Sequence, residues 1–334
     1  MNILLLQLKR IGDLVLTTPA IAAVRAKFPE ANISLVVSSS TRELLPAILG
    51  VDHTFVTRNA ANWFTVARRK CDYCVDFTHS DRSAFLTVLS GARTRVTSDH
   101  TKLQSRLRAL SYNRLVSSSL RNLHTVDHYL TLLTPLGIRE ASPALQLHLS
   151  PLALAAADRI LAENKISGDF LLLHPGSARI EKFWEVERWS EVIAAAARAG
   201  LPCVVTGAHS PLEQKHIAQI KAATREPFVD LSGRVDLLTL TALIKKARLL
   251  ATVDSAPMHL AAATQTPQVV LFGPTNPLHW RPRGSPALIL QAGQPAPLTE
   301  FSPDHKRAPM NLISTEQVID GMKALLATPR GAPL

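Results

Sequence analysis

The chain has 334 residues, long enough for two domains of ordinary size. Apolar residues make up 46% and charged residues 19%, a globular balance that argues against disorder, and no apolar run approaches the ~20 residues that a bilayer-spanning helix needs. Thirty-seven Lys and Arg face 26 Asp and Glu, a net charge of +11 of which +8 falls in residues 1–165, and such a field favours an anionic partner: nucleic acid, a membrane face or a phosphorylated substrate.

The first apolar run, Ile3–Leu6, reads as a buried strand, and Lys9 and Arg10 follow it instead of preceding it, which speaks against a secretory signal. Further short apolar runs predict strands at Ile33–Val37, Thr54–Val56, Tyr73–Phe77, Phe170–Leu173, Cys203–Thr206, Leu249–Val253, Val269–Phe272 and Leu288–Gln291. Between them Pro19–Phe28, Trp189–Ala199, Ser210–Thr224 and Leu238–Ala247 carry apolar residues at helical spacing. Strand–helix alternation of this kind predicts a parallel sheet covered on both faces. It occurs twice, once over about residues 1–135 and again from FLLLHPGS, after the loop at Lys165–Asp169. The expected fold is therefore α/β, with two doubly wound domains facing a cleft and ligands at the carboxyl ends of the strands.

Two local features are set aside or kept open on the residues alone. Cys71 and Cys74 form a CxxC inside CDYCVDF, but the motif leads into a strand and no second pair completes a zinc site. With Cys203 they read as small buried thiols. The stretch RTRVTSDHTKLQSRLRALSYNRLVSSSLR (93–121) holds seven basic residues and one acid, Asp99. It reads either as a solvated helix face or as an anion-facing surface. Its single aromatic, Tyr112, argues against single-stranded nucleic acid, which wants rings between the charges.

Four strand-ending loops carry the candidate chemistry. In KRIGDLVLTTPA (9–20), Gly12 permits a tight or positive-φ turn, and Asp13 falls at a helix start, as a cap or as a functional acid. In HPGSARIEKFW (174–184), Gly176 and Ser177 offer N–H groups and a hydroxyl to phosphate oxygens, with Lys182 as a point charge or a merely solvated lysine. Neither GxxxxGK[ST] nor a GxGxxG after the first strand occurs. In VVTGAHSPLEQKHI (204–217) a strand ends near Gly207, and Glu213 either accepts from ribose hydroxyls or complements the helix dipole. In LLATVDSAPMHLAAA, Asp254-Ser255-Ala256-Pro257-Met258-His259 opens an alanine-rich helix whose N–H groups can hold a diphosphate. His259 alone reads as a hydrogen-bonded structural residue, and nothing else stands at metal-ligand spacing.

Together KRIGDLVLTTPAI, HPGS…KFW, DLSGRVDLLTLTALI and VDSAPMHLAAA…VVLFGPTNP resemble glycosyltransferase family 9, the ADP-heptose lipopolysaccharide heptosyltransferases, over nearly the whole chain. HWRPRGSPALILQAG followed by MNLISTEQVIDGMKALL is most similar to the heptosyltransferase III branch. Two departures stand out: Asn276 where the family often has an acid, and Arg283 where the branch commonly has a second tryptophan.

The resemblance implies two Rossmann-like domains of the GT-B type: 1–165 for the acceptor, 166–314 for the ADP-sugar, and a C-terminal helix, 315–334, packing back toward the first. It implies an inverting, metal-independent transferase without a cofactor, moving heptose from ADP-heptose to the lipid A–Kdo–heptose inner core. Other readings are heptosyltransferase I or II, another sugar transferase of the family, or a non-catalytic sugar-nucleotide binder. By the same match Asp13 is the general base, and Gly12 with Lys9 or Arg10 meets the acceptor. Gly176, Ser177, Lys182, Ser255, Ala256, Met258 and His259 hold the diphosphate. Glu213 and Gly207 take the ribose and adenine, and Asp254 lies near the sugar. The basic stretch, through Arg106 and Arg108, would draw in the anionic acceptor and hold a cytoplasmic, monomeric enzyme peripherally at the inner membrane, with no nucleic-acid partner.

Overall fold

Among the described residues, twelve strands form two parallel sheets. The computed structural model describes residues 1–57, 70–118, 122–300 and 307–329. It divides into two units, Met1–His148 and Leu149–Leu334. The first sheet contains β1 (Asn2–Gln7), β2 (Asn32–Val37), β3 (His53–Val56), β4 (Tyr73–Asp76), β5 (Thr94–Ser98) and β6 (Arg114–Val116), in the order β3-β2-β1-β4-β5-β6. The second contains β7 (Leu171–His174), β8 (Cys203–Val205), β9 (Val229–Asp230), β10 (Leu249–Val253), β11 (Gln268–Phe272) and β12 (Ala287–Gln291), in the order β12-β11-β10-β7-β8-β9. Renumbered from its own first strand, the second order is the same as the first. Each unit is thus one complete doubly wound sheet of the dinucleotide-binding type.

All nine strands expected from apolar runs are present within a residue or two of their predicted ends. Three more, β5, β6 and β9, carry no apolar signature. β5 is TRVTS: Thr97 and Ser98 are buried, and their hydroxyls bond inside the protein, Ser98 Oγ donating to the Ser118 carbonyl. The stretch 93–118 is therefore strand, two short helices (His100–Gln104 and Arg106–Ala109) and strand, not one helix face; residues 119–121 lie outside the described residues.

The first helix, Ile11–Lys27, begins eight residues before Pro19, which the sequence suggested as its start. A proline inside a helix deprives the carbonyl four residues back of its N–H partner. Here that carbonyl, on Val15, accepts from the Thr18 hydroxyl at 2.7 Å, and Thr17 bonds the Asp13 carbonyl at 2.7 Å. The TTP sequence thus lets the helix run through its proline.

The boundary expected between residues 165 and 166 falls instead between His148 and Leu149. Helix Pro151–Glu163 packs on helix Leu237–Lys246 of the second unit, with Lys246 paired to Asp158 at 2.7 Å. The helix Thr315–Ala327, expected to reach toward the N-terminal domain, packs on β10, β11, β12 and the helix Val186–Arg198. Residues 330–334 lie outside the described residues. Val318, Met322 and Leu325 enter the core that holds Trp184, Trp189 and Leu271. Cys71, Cys74 and Cys203 are buried and unbridged, and burial pushes the Cys74 and Cys203 thiols up.

Leu325→Ala should remove about 2–5 kcal/mol from the stability of the second unit, read as a lowered urea midpoint at unchanged slope. A loss below about 0.5 kcal/mol would show that this helix is not part of the cooperative core.

Candidate active site

Where strand order reverses in a doubly wound sheet, the two central strands send their crossovers to opposite faces and leave a crevice at their carboxyl ends. That point lies between β1 and β4 in the first unit and between β7 and β10 in the second. All four loops singled out in the sequence adjoin β1, β7, β8 or β10.

In the first unit β1 passes through Leu8–Arg10 into the helix. The turn is made at Arg10 (φ −87°, ψ 175°), so Gly12 is already helical and its expected positive φ is not used. Asp13 is the third helical residue, not the cap. Its carboxylate accepts from the Arg10 N–H at a long 3.4 Å and from the Tyr129 hydroxyl at 3.0 Å. Tyr129 is fully buried, and burial together with the Asp13 charge pushes its phenol well up, which keeps it a donor. Asp13 is itself only 8% exposed.

β4 ends in Asp76, also fully buried, which accepts from the Tyr112 hydroxyl (2.6 Å) and the Thr78 N–H (2.7 Å) and so folds the next loop over itself. His79 follows in a left-handed conformation (φ 61°). Its Nε2 lies 3.1 Å from Nε2 of His128, while their Nδ1 atoms meet Thr97 (2.7 Å) and Ser118 (2.8 Å). Burial, with the Lys9 ammonium next in order, drives both rings down, His128 to about 3. Both are neutral. Arg10 is exposed.

Arg106 is exposed on its short helix, but Arg108 is committed elsewhere. Its guanidinium donates to Asp81 (2.7 Å), the His79 carbonyl (3.0 Å) and Gln104 (3.0 Å). These three contacts make it a brace of the loop after β4.

In the second unit Lys182 ends a short turn, Ile180–Lys182, and is followed by two anchored neighbours in KFW. Phe183 stacks on His216 (4.4 Å), and Trp184 meets Trp189 edge-on (5.1 Å) while its Nε1 donates to the Ile313 carbonyl at 3.0 Å. So anchored, the Lys182 ammonium reaches Asp254 at the end of β10, donating to Oδ2 at 2.6 Å and to the carbonyl at 2.9 Å. Thr275, after β11, donates to the same Oδ2 at 2.6 Å. The Thr252 hydroxyl bonds the His174 carbonyl at 2.8 Å and ties β10 to β7 at the reversal.

Beside this lies a second group. Glu213 is 5% exposed; burial pushes its carboxyl up, and it accepts from the Ala208 N–H at 2.8 Å. His174 Nε2 is 3.6 Å away, too far for a hydrogen bond, and burial holds this ring down at about 4, so the contact is not an ion pair. A Cβ on Gly176 would stand 2.2 Å from Glu213 Oε2, and one on Gly207 would stand 2.4 Å from Ile217 Cδ1. A side chain on Gly176 would therefore displace buried Glu213, whereas one on Gly207 would press only on the tip of Ile217, and Glu213 lies against the HPGS loop. Ser177 is buried there too.

Helix Ala256–Thr264 begins at Ser255 without a side-chain cap, and Pro257 removes one of its first N–H groups. Met258 is fully buried with Val270 and Phe272, so its side chain is core and only its backbone faces the helix start. His259 is buried on the same turn. Asn276 has a local use: it accepts from the Leu278 N–H at 2.9 Å and caps the next short helix. Among the described residues no group of three His, Cys, Asp or Glu could hold a metal ion.

The family model for glycosyltransferase family 9 (heptosyltransferase) matches residues 62–306. The chain belongs to this family. This family 9 glycosyltransferase is 28% identical over 329 residues to lipopolysaccharide heptosyltransferase 3 of Escherichia coli, covering 94% of this chain and 96% of the relative. The solved family 9 glycosyl transferase of Veillonella parvula DSM 2008 has a TM-score of 0.84 at 23% identity, over 97% of both chains. E. coli ADP-heptose lipopolysaccharide heptosyltransferase II has a TM-score of 0.79 at 19% identity, over 98% of both. In this glycosyltransferase Tyr129, Thr275, His174 and the His79–His128 pair were not found from the sequence. Thr275 had a local signal as the third residue of GPT, and His174 as the first of HPGS.

Two outcomes follow for the site. His128 and His174 are neutral when folded but take up a proton when unfolded below their ordinary 6.5, so their contribution is complete above that pH and falls as acid is added. Each should cost about 2 kcal/mol by pH ~5, and His128→Gln should flatten the dependence of the urea midpoint on pH. An unchanged slope would locate the acid sensitivity elsewhere. Gly176→Ala should push the Glu213 carboxylate out of its seat at a cost of about 1–3 kcal/mol, seen as a lower thermal midpoint. Full stability would mean that the loop backs away freely.

Proposed function

We propose that the chain transfers L-glycero-D-manno-heptose from ADP-heptose to the lipopolysaccharide inner core with inversion, in the manner of a heptosyltransferase III. The observation that carries this reading is the pairing of a near-full-length likeness to lipopolysaccharide heptosyltransferase 3 with an acid at one strand-order reversal and a lysine at the other. The first unit takes the acceptor and the second takes the ADP-sugar.

In this reading Asp13 accepts the proton of an acceptor hydroxyl as its oxygen bonds to the anomeric carbon, and the bond from that carbon to the diphosphate breaks with its electron pair leaving on ADP. Tyr129 donates to Oδ1, and Oδ2, which takes only a long bond from the Arg10 N–H, faces the hydroxyl. Lys182 exchanges its Asp254 contact for the departing diphosphate, aided by Ser177 and the N–H groups at Ser255–His259. Glu213 and Gly207 border the nucleoside, and Asp254 the sugar. No metal is required, since an ammonium and aligned N–H groups supply the positive potential. Lys9 or Arg10 meets acceptor phosphate. The enzyme acts as a cytoplasmic monomer held against the inner membrane by its basic first unit.

ADP release from ADP-heptose with a truncated inner-core acceptor tests the assignment. Asp13→Asn should lower kcat by about 10²–10⁴-fold with donor binding intact. Tyr129→Phe should lower it about ten- to hundredfold, and Lys182→Ala should cost about 10²–10³-fold with weaker donor binding. Turnover that survives Asp13→Asn would remove Asp13 as base. No turnover by the wild type with any core acceptor would overturn the heptosyltransferase reading.

A further inference from the structure

Short helical segments of a globular domain ordinarily turn their leucines inward. In the first unit the opposite holds at KLQSRLRAL: Leu103, Leu107 and Leu110 are 82%, 78% and 77% exposed. The inward positions are taken by Thr101, Ala109 and Tyr112, and Tyr112 is fixed there by its bond to buried Asp76. Single exposed leucines need no explanation, but three within eight residues form a patch that water alone does not favour.

The surroundings say what would cover it. Lys102 directly precedes Leu103 and Arg106 lies between Leu103 and Leu107; both are exposed, as are Arg82 and Arg93. Asp81, the acid beside this surface, is already engaged by Arg108 at 2.7 Å. Apolar side chains interleaved with cations suit the boundary between anionic headgroups and acyl chains, where leucine enters and lysine and arginine stay at the headgroup level. A protein partner would have to match the same charge without the lipid's continuous negative surface.

We propose that Leu103, Leu107 and Leu110 form a ridge that inserts into an anionic lipid surface, with Lys102 and Arg106 engaging the headgroups around it. The proposal deepens the membrane contact put forward above and rests on that reading. Arg108 gives the ridge a purpose: bonded to Gln104, the His79 carbonyl and Asp81, it ties the ridge to the loop that follows β4, at the strand-order reversal of the same unit. A lipid-linked acceptor would thus be met where it leaves the bilayer.

Co-sedimentation with phosphatidylglycerol-containing vesicles at about 0.1 M and about 0.5 M NaCl separates insertion from charge attraction. The wild type should bind at both, more weakly in salt. The triple variant Leu103→Gln, Leu107→Gln, Leu110→Gln should bind at least about tenfold less at low salt and not at all at high salt, while keeping turnover on a soluble acceptor. Separately, Leu107→Trp should shift its emission to the blue on these vesicles and be quenched by brominated acyl chains. Unchanged binding by the triple variant, or an unshifted Trp on a protein that sediments, would sink the ridge and leave the charge-based contact standing. A wild type that stays in the supernatant would overturn both. A change from dimer to monomer in the triple variant, by light scattering, would make the ridge a self-association surface and end the proposal. Loss of turnover on the soluble acceptor would count against the functional reading of the first unit instead.

Discussion

A parallel strand pair can be joined only by a crossover that covers one face of the sheet, and right-handed crossovers leaving two adjacent central strands in opposite directions must part. The carboxyl ends of β1 and β4, and of β7 and β10, are left open by that geometry in each unit. Polar and charged side chains tolerate such places because the backbone there is already committed to loops and helix starts. Asp13, the Asp76–His79 turn, the HPGS loop and Asp254 all stand at these four strand ends. The places of Asp13, Lys182 and Asp254 depend on this one topological constraint, met twice.

The loops are not held by apolar packing alone. Buried polar groups fix them: Asp76 gathers the chain after β4, the His79–His128 pair links that loop to the helix Thr125–Thr131, and Glu213 holds Ala208 against Gly176. A buried hydrogen-bonded group is costly to move, so each loop has a single low-energy arrangement. The neutral histidines serve a further end. Uncharged, they add no repulsion beside Lys9.

Much of the fold was legible because strand and helix periods differ and the apolar runs were clean. Nine strands and about half of the helices among the described residues could be read for that reason. β5 could not, since Thr97 and Ser98 share its buried positions with Val96 and are satisfied by partners that leave no local pattern, and β6 could not, since its three residues include no buried one. The first helix was placed too late because Pro19 resembles a helix start until Thr18 is seen to take the freed carbonyl of Val15. At the site, the motif residues Asp13, Gly176, Lys182, Glu213 and Asp254 were readable one by one, each with a plain alternative as a cap or a solvated charge.

What remained hidden was which of them act together. Lys182 and Asp254 are 72 residues apart and Tyr129 is 116 from Asp13, and the bonds between them exist only once strands distant in the chain lie side by side. The same holds for Arg108, whose sequence neighbourhood suggests a free cation and whose three partners make it a brace. It holds also for Leu103, Leu107 and Leu110, which helical spacing would place in a core. The sequence by itself determined the alternation of elements, the strand-end motifs and the family. The tertiary structure alone decided which charges are paired, which glycines are sterically required and which apolar face is left outward, because pairing, contact and exposure are properties of neighbours in space.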